Sequence, residues 1–226
     1  MTMTTKIVIL GAGGHARDVL DIFEACNERA PRYDVLGFVV DTRYAKVGQL
    51  VNDRPILGDF EWLQKHVGEV RLVAAVGNTD LRLRLVNQAC ALGGQLADPV
   101  VHPSAVLARR VTMGAGTVVG AGVTITSLVR LGRNVHVNNG CSLAHDVVVG
   151  DHATLSPGAR ISGNVSIGEG AYIGTGCSII EKITVGPWSI IGAGSAVVRD
   201  IPADVTAVGC PARVIKRRPA GWQLRG

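Results

Sequence analysis

Aromatic residues are scarce in this chain: three Phe, three Tyr and three Trp, 4% of the sequence. A core anchored on large rings is excluded, and the 47% apolar content must pack mostly as Val, Ile, Leu and Ala, which suits closely stacked strands. No apolar run approaches the roughly 18 residues that mark a membrane helix. The N-terminal MTMTTKIVIL also lacks a basic segment followed by an apolar stretch and a cleavage site. A cytoplasmic protein with no membrane partner is therefore expected. The five cysteines (26, 90, 141, 177 and 210) are odd in number, far apart and never spaced C-x-x-C. That argues against a disulfide framework and a zinc ribbon, so reduced, structural thiols and no metal are expected.

Charge points no more strongly to a nucleic-acid partner. The net charge is +5, and it concentrates in the tail RVIKRRPAGWQLRG, where Arg213, Lys216, Arg217, Arg218 and Arg225 cluster. Neither aromatic interleaving nor a helix-turn-helix or zinc-finger pattern accompanies them, so nucleic acid is not expected. The cluster reads either as a solvated tail or as contacts to a phosphorylated cofactor.

What the chain does have is two different sequence patterns. Residues 1–98 alternate apolar runs with helical patterns: KIVILG (6–11), then HARDVLDIFEAC (15–26), DVLGFVVD (34–41), a short helix around EWLQKHV reached through RPILGD, RLVAAVG (71–77) and DLRLRLVNQACAL (80–92). This alternation predicts a Rossmann-like α/β domain with a parallel sheet and its ligand at the carboxyl ends of the strands. Gly11, Gly13 and Gly14 follow the first strand and open a helix, so their backbone can approach a phosphate or sugar. The run also matches the weak dinucleotide fingerprint G-x-G-x-x-A, but fewer than 100 residues leave room for only one mononucleotide-binding half, which disfavours NAD.

From about residue 101 every sixth position is large and apolar, seventeen in succession from Val101 through Leu107, Met113, Leu143 and Val149 to Val197. Glycine often follows, and a small or β-branched residue often precedes by two. No helix or simple alternating strand holds that register for nearly a hundred residues. A hexad repeat is the signature of a parallel β-helix in which each hexad makes one flat strand and a turn, three to a coil. With coils stacked at about 4.8 Å, five to six coils give a prism roughly 25–30 Å tall. Cys141 and Cys177 fall two coils apart in its small interior column. The expected organisation is 1–98 as the α/β domain, 99–200 as the β-helix and 201–226 as a C-terminal extension with the basic tail.

The [LIV]-G-x-x-x-x hexads, the closing AVGCPARVIK, the opening ILGAGGHARDVLDI, GFVVD and HPSA together resemble the bacterial hexapeptide acyltransferases of the sialic acid O-acetyltransferase group. Within that group the likeness is to N-acetyltransferases of nucleotide-linked 4-amino-4,6-dideoxy sugars in glycan biosynthesis. The resemblance covers essentially the whole chain. It implies a left-handed coil, a homotrimer with active sites between subunits, acetyl-CoA as co-substrate, and a nucleotide sugar on the N-terminal domain, UDP- or GDP-linked. In such enzymes the catalytic histidine stands in an HD or HE pair, the place of His145-Asp146 here.

The chemistry suits those residue types. N-acetylation needs an amine to attack a thioester, a proton to leave the nitrogen, and an oxyanion to be stabilised. Histidine titrates near neutrality and can accept that proton if one ring nitrogen is free and the other is held, the natural task of Asp146. If the amine arrives already deprotonated, His145 orients it instead. His145 lies two residues past the interior Leu143, hence near a corner; without the resemblance, an exposed polar corner would be the plainer reading. Family members often carry a second histidine nine residues later, at a site contacting the acetyl group, but that position is Thr154. Its hydroxyl could donate to the acetyl group; His152 reads more simply as an exposed turn residue; backbone N–H groups can serve the oxyanion. By family position, Gly163, Thr175 and Ala193 fall to the pantetheine, and Arg213, Lys216 and Arg217 to the nucleotide phosphates of acetyl-CoA. His15 and Asp41, with Gly13 and Gly14, fall to the nucleotide sugar. Asn138 reads as a contact near the sugar or the pair, or as a turn former.

Three other functions share parts of this pattern. A γ-class carbonic anhydrase on the same solenoid would need zinc-binding histidines, two in H-x-x-x-x-H, and the spacings among 136, 145 and 152 do not match. O-acetylation of a sugar or serine hydroxyl could use the same base. A non-catalytic nucleotide-sugar-binding solenoid would need no His145, but it leaves the two-domain arrangement unexplained.

Overall fold

The computed structural model describes residues 4–224, so Arg225 of the basic tail lies outside the described residues. The chain forms two compact units, Met1–Pro103 and Ser104–Gly226.

The first unit runs β1 (Thr5–Leu10), α1 (Gly14–Arg29), β2 (Tyr33–Val39), β3 (Leu50–Val51), β4 (Arg54–Gly58), α2 (Phe60–His66), β5 (Arg71–Ala74), α3 (Thr79–Ala91) and β6 (Gln95–Leu96). The strands form one sheet in the order β3-β4-β2-β1-β5-β6, parallel except for β3. Ile7 to Leu10 are fully buried, as expected for a central strand covered on both faces. α1 seals one face with Ala16, Val19, Leu20, Ile22 and Phe23, at spacings of one to three that keep them on one side of the helix. Asn78 and Asp59 start α3 and α2 by accepting from the Leu81 and Glu61 amides, at 2.8 and 2.9 Å.

RPILGD, expected only to lead into a helix, is a strand. Pro55 argues against such an assignment from sequence, but β4 is held parallel to β2 and antiparallel to β3. The β3–β4 turn is Asn52-Asp53, both residues at positive φ (42° and 61°), as a two-residue hairpin demands. The unit ends at Pro103, five residues past the expected 98, because the Cys26 thiol donates to the Val101 carbonyl at 3.3 Å and holds that segment against α1. Val100–Val101 is nonetheless the end strand of a β-helix sheet, so Val101 keeps its expected place as the first hexad position.

The second unit is a parallel β-helix of two-residue strands on three faces. On the first face Val118 pairs with His136, then Thr154, Tyr172 and Ile190, each 18 residues on. The second face runs from Val106 through Thr124, Ser142, Arg160 and Ser178 to Ala196, and the third from Thr112 through Arg130, Val148 and Ser166 to Thr184. From Val119 to Val197 no sixth-position aliphatic is more than 4% exposed. Leu107 and Met113 are only half-buried, because the first coil has no earlier coil of the solenoid above it. Cys141 and Cys177 sit inside as expected, and burial pushes their thiols up to about 11 and about 12, so they are inert packing groups.

Residues 201–217 are continuous with the solenoid. Val205–Gly209 and Ala212–Arg217 form a hairpin whose first strand pairs with Ile190 and Ile191, extending the first face. Among the described residues no helix is long and apolar enough to cross a membrane.

Leu143 carries the interior stack directly beneath the His145 corner, at 1% exposure. Leu143→Ala is expected to cost about 2–5 kcal/mol, the range for a buried Leu truncation. Thermal unfolding followed by circular dichroism checks this as a lowered midpoint.

Candidate active site

Three corners join the faces, and each turns through a residue at positive φ. Between the first and second faces all five are glycine: 122, 140, 158, 176 and 194. Between the second and third faces none is; Leu128, Asp146, Asn164 and Lys182 take φ from 59° to 63°. His145 and Asp146 stand on this glycine-free corner. Their backbone is clamped from both sides, the Asp146 N–H donating to the Ser127 carbonyl at 3.1 Å and the His145 carbonyl accepting from the Asn164 N–H at 3.0 Å.

The side chains form the expected pair, with His145 Nδ1 2.9 Å from Asp146 Oδ2. A carboxylate only accepts, so Nδ1 carries the proton and the Nε2 lone pair is free. At 62% and 45% side-chain exposure, both groups face outward. Below the ring lies Gly163, one coil on. A Cβ there would fall 2.7 Å from both Cε1 and Nε2 of His145, so glycine is what lets the imidazole lie against the next coil. Sequence reasoning gave Gly163 to the pantetheine; the structure buries it beneath the histidine. The signal was available in the register, since 163 follows 145 by one coil.

Beside this corner, on the second face, Thr124, Thr126, Ser142, Ala144, Arg160 and Ser162 line a shallow cavity of about 280 Å³. Thr175 and Ala193 are exposed and stacked one coil apart, the Thr175 carbonyl accepting from the Gly194 amide at 2.8 Å. They occupy the glycine corner, across the second face from His145. Asn138 lies toward that corner too, away from the pair, and its amide donates to the Leu155 carbonyl at 2.8 Å, the task of a turn former. Thr154 is 3% exposed, so in the single chain its hydroxyl offers little surface to a ligand. His152 is half-buried, not exposed, and stands on the remaining corner with Nδ1 2.9 Å from the Asn134 amide nitrogen. Arg213, Lys216 and Arg217 are exposed on the edge strand of the C-terminal hairpin. Among the described residues no cluster of three or more His, Cys, Asp or Glu is placed to hold a metal ion.

The first unit carries a second concave site. A cleft of about 580 Å³ opens at the carboxyl ends of β1, β2 and β5, lined among others by Gly11, Ala12, Val40, Asp41, Asp59 and Gln88. Gly11 is required by packing, since at φ 104° its Cβ would meet Val76 at 2.8 Å. A Cβ added at Gly13 would meet nothing within 4 Å, and one at Gly14 only the Arg17 side chain at 3.8 Å, so no protein neighbour demands glycine there. Gly13 begins α1 with no side-chain cap and no acid follows in the first turn, leaving the helix N-terminus electropositive. His15 is held below the usual imidazole range by burial and then by the nearby Arg82 charge, partly offset by Asp18, and is neutral at pH 7. Arg82 is fully buried on α3, and burial lowers its guanidinium to about 9, still charged at neutral pH. Asp41 is gripped by Arg43, whose Nε lies 2.9 Å and Nη2 2.6 Å from Oδ2; these hydrogen bonds hold the carboxyl below its usual range.

A Rossmann-like unit followed by hexapeptide coils with a corner histidine defines the class of hexapeptide-repeat acyltransferases. Residues 6–89 match the PglD N-terminal domain and residues 129–163 the bacterial transferase hexapeptide (six repeats). A search of curated protein sequences returned no significant match. Among solved structures, a histidine-to-asparagine variant of perosamine N-acetyltransferase from Caulobacter crescentus, in complex with CoA and GDP-perosamine, is 34% identical. The match covers 93% of this chain and 97% of that one, with a TM-score of 0.84. The acetyltransferase domain of PglB from Neisseria gonorrhoeae, in complex with acetyl coenzyme A, is 32% identical over 94% and 100%, with a TM-score of 0.85. WeeI from Acinetobacter baumannii is 30% identical over 94% and 100%, with a TM-score of 0.81. The chain belongs to this family of nucleotide-amino-sugar N-acetyltransferases, with a Rossmann-like N-terminal domain and a left-handed β-helix.

Two outcomes follow from the geometry. Gly163→Ala must push the imidazole outward, and turnover is expected to fall about tenfold to a hundredfold, the scale of an ångström-sized misplacement, with circular dichroism unchanged. Because His15 binds its proton more weakly in the folded state, stability is expected to fall as pH drops below about 6.5, where the unfolded chain takes up that proton. His15→Gln should flatten that dependence in urea unfolding measured from pH 7.5 to 5.5.

Proposed function

We propose that the protein transfers the acetyl group of acetyl-CoA to the 4-amino group of a nucleotide-linked 4-amino-4,6-dideoxy sugar, UDP- or GDP-linked. The observation that carries this reading is His145 on its glycine-free corner, with Nδ1 held by Asp146 and Nε2 free, in a chain that resembles nucleotide-sugar acetyltransferases along almost its whole length.

The nucleotide falls to the first unit. The uncapped α1 N-terminus and the open space at Gly13 and Gly14 suit a diphosphate, neutral His15 can hydrogen-bond it, and Asp41 at the end of β2 suits a ribose diol. In that complex Asp41 would exchange Arg43 for the sugar hydroxyls. The amine, with its lone pair directed at the thioester carbonyl, gives its proton to His145 Nε2 as the tetrahedral intermediate forms. Asp146 supports the imidazolium through Nδ1–H. The oxyanion falls to backbone N–H groups, since Thr154 is buried. Collapse expels the CoA thiolate, which takes up the proton from His145, and the amide is left on the sugar.

Acetyl-CoA binding argues for a homotrimer. Thr175 and Ala193 lie a face-width from His145, about 16 Å at 3.3 Å per residue, and two and three coils further along the stack at about 4.8 Å each, so a single chain puts them on separate edges. A neighbouring copy brings its own glycine corner against the His145 corner. There the hydroxyl-lined cavity of the second face, with Thr175, Ala193 and Asn138 of the neighbour, would enclose the pantetheine, and Arg213, Lys216 and Arg217 would meet the nucleotide phosphates. A cytoplasmic setting agrees with acetyl-CoA as donor and with five free cysteines.

His145→Ala is expected to lower kcat at least about a hundredfold in a thiol-release assay with acetyl-CoA and GDP- or UDP-linked amino sugars. Activity confined to hydroxyl acceptors would overturn the N-acetyl assignment. Absence of acetyl-CoA binding by calorimetry at millimolar cofactor would overturn transfer altogether.

A further inference from the structure

We infer that Arg82 is a positioning residue for the nucleotide's diphosphate, a fixed buried charge behind the α1 N-terminus that acts through His15; the inference rests on the nucleotide-sugar reading above. Arg82 lies on the core face of α3 with Thr79, Leu83, Val86 and Ala89, where an aliphatic residue would be expected. It is 0% exposed, and among the described residues no other Lys, Arg, Asp or Glu is buried. A guanidinium there carries a large desolvation cost, and a methionine or leucine would fill the same space without it. Packing alone does not call for a cation, so the charge needs a use.

The surroundings indicate which use. Arg82 Nη1 donates to the Val76 carbonyl at 3.3 Å, so the side chain reaches back from α3 to the segment that follows β5. Val76 lines the cleft and presses on Gly11, at the turn that opens α1. His15, in the first turn of α1, feels the Arg82 charge. Burial and then that charge hold its imidazole below the usual range, and Asp18, with Oδ2 3.9 Å from Nδ1, partly offsets them. The guanidinium and the electropositive end of α1 therefore converge on one part of the cleft floor. Two positive features brought together repel, and an anion lying over both offsets that repulsion. The diphosphate is the part of a nucleotide sugar that supplies such charge, and its charge does not titrate near neutrality. With the positive charge fixed on Arg82, His15 stays neutral and meets the phosphates as a hydrogen-bond donor. Arg82 itself is too deeply buried to touch them.

The test compares wild type with Arg82→Met, which keeps the bulk and removes the charge, and Arg82→Lys, which keeps the charge. Binding of GDP-perosamine and of its UDP-linked counterpart is measured by calorimetry, without acetyl-CoA, from about pH 6 to about pH 7.5. Arg82→Met is expected to weaken binding of the preferred nucleotide sugar about tenfold at the upper end, the scale of one fixed charge near the phosphates. The KM for that sugar should rise by the same factor, with kcat and the KM for acetyl-CoA within about threefold of wild type. Arg82→Lys should stay within about threefold throughout. Removing the Arg82 charge lets His15 hold its proton more tightly. In Arg82→Met, affinity should therefore improve as pH falls toward about 6 and His15 becomes charged, while wild-type affinity stays flat. Weaker binding without that pH dependence makes Arg82 a structural group and overturns the inference. So does wild-type affinity in Arg82→Met, and acetyl transfer is left standing in either case. Should Arg82→Met not fold, Arg82→Lys decides alone: retained affinity supports the charge, and lost affinity in a folded protein counts against it. A wild type that binds neither nucleotide sugar sinks the functional reading itself, and this inference with it.

Discussion

The 18-residue register between coils is the constraint on which the rest of the second unit depends. Each short strand pairs with the strand one coil on, so the place of any side chain follows from its residue number modulo one coil. The geometry of the His145 corner is a consequence. Asp146 N–H to Ser127 and Asn164 N–H to His145 hold the pair's backbone from above and below, and the same spacing sets Gly163 under the imidazole. An inserted residue between 127 and 145 would break the first of these relations and one between 146 and 163 the other two, because a side chain displaced by one position in a strand points to the opposite side.

That register also distributes strain. A tight corner needs one residue at positive φ per hexad, and glycine meets the need at little steric cost. The corner between the first and second faces uses glycine five times, as if nothing else were asked of it. The corner at His145 uses Leu128, Asp146, Asn164 and Lys182 instead, accepting the less favourable backbone in order to display side chains. The glycine-free edge is therefore the one whose turn residues carry outward side chains, Asp146 among them.

Much of this was legible in the sequence. The hexad count located the interior column, the inert cysteines and the outward His145-Asp146 pair, because a repeat of fixed period converts sequence position into spatial position. The count could not separate roles that need a distance. Gly163 looked like a ligand-facing glycine until its missing Cβ proved to be the space for the imidazole. Asn138 and His152 looked near the pair in sequence, yet their corners are different ones, and the Asn138 side chain engages the next coil and that of His152 the one before. In the first unit β4 was hidden by Pro55, whose lost amide matters little where the paired neighbours on either side still hold the strand. Resemblance placed His15 and Asp41 in the nucleotide site. Space supplied the reason for the glycines: Gly11 is forced by Val76, whereas Gly13 and Gly14 answer to no neighbour in the protein.

The single chain leaves the hydrogen-bonded His145–Asp146 pair largely in water. At 62% and 45% exposure, His145 and Asp146 attract each other only weakly, as exposed pairs do. Acetyl transfer from a thioester works best where water is excluded and each dipole acts at low dielectric. The second face beside the pair is shallow and lined by small hydroxyl and methyl groups, with Arg160 as its one charge, so it cannot enclose a substrate alone. What it offers is a flat surface against which another can close. The residues with a family claim on the pantetheine, Thr175 and Ala193, lie on the far edge of that same face, where only a second copy could return them to the histidine. Exposure of the pair and separation of the two edges would both be resolved by the proposed site between chains, in which the solenoid's flat faces would serve assembly and its glycine-free corner chemistry.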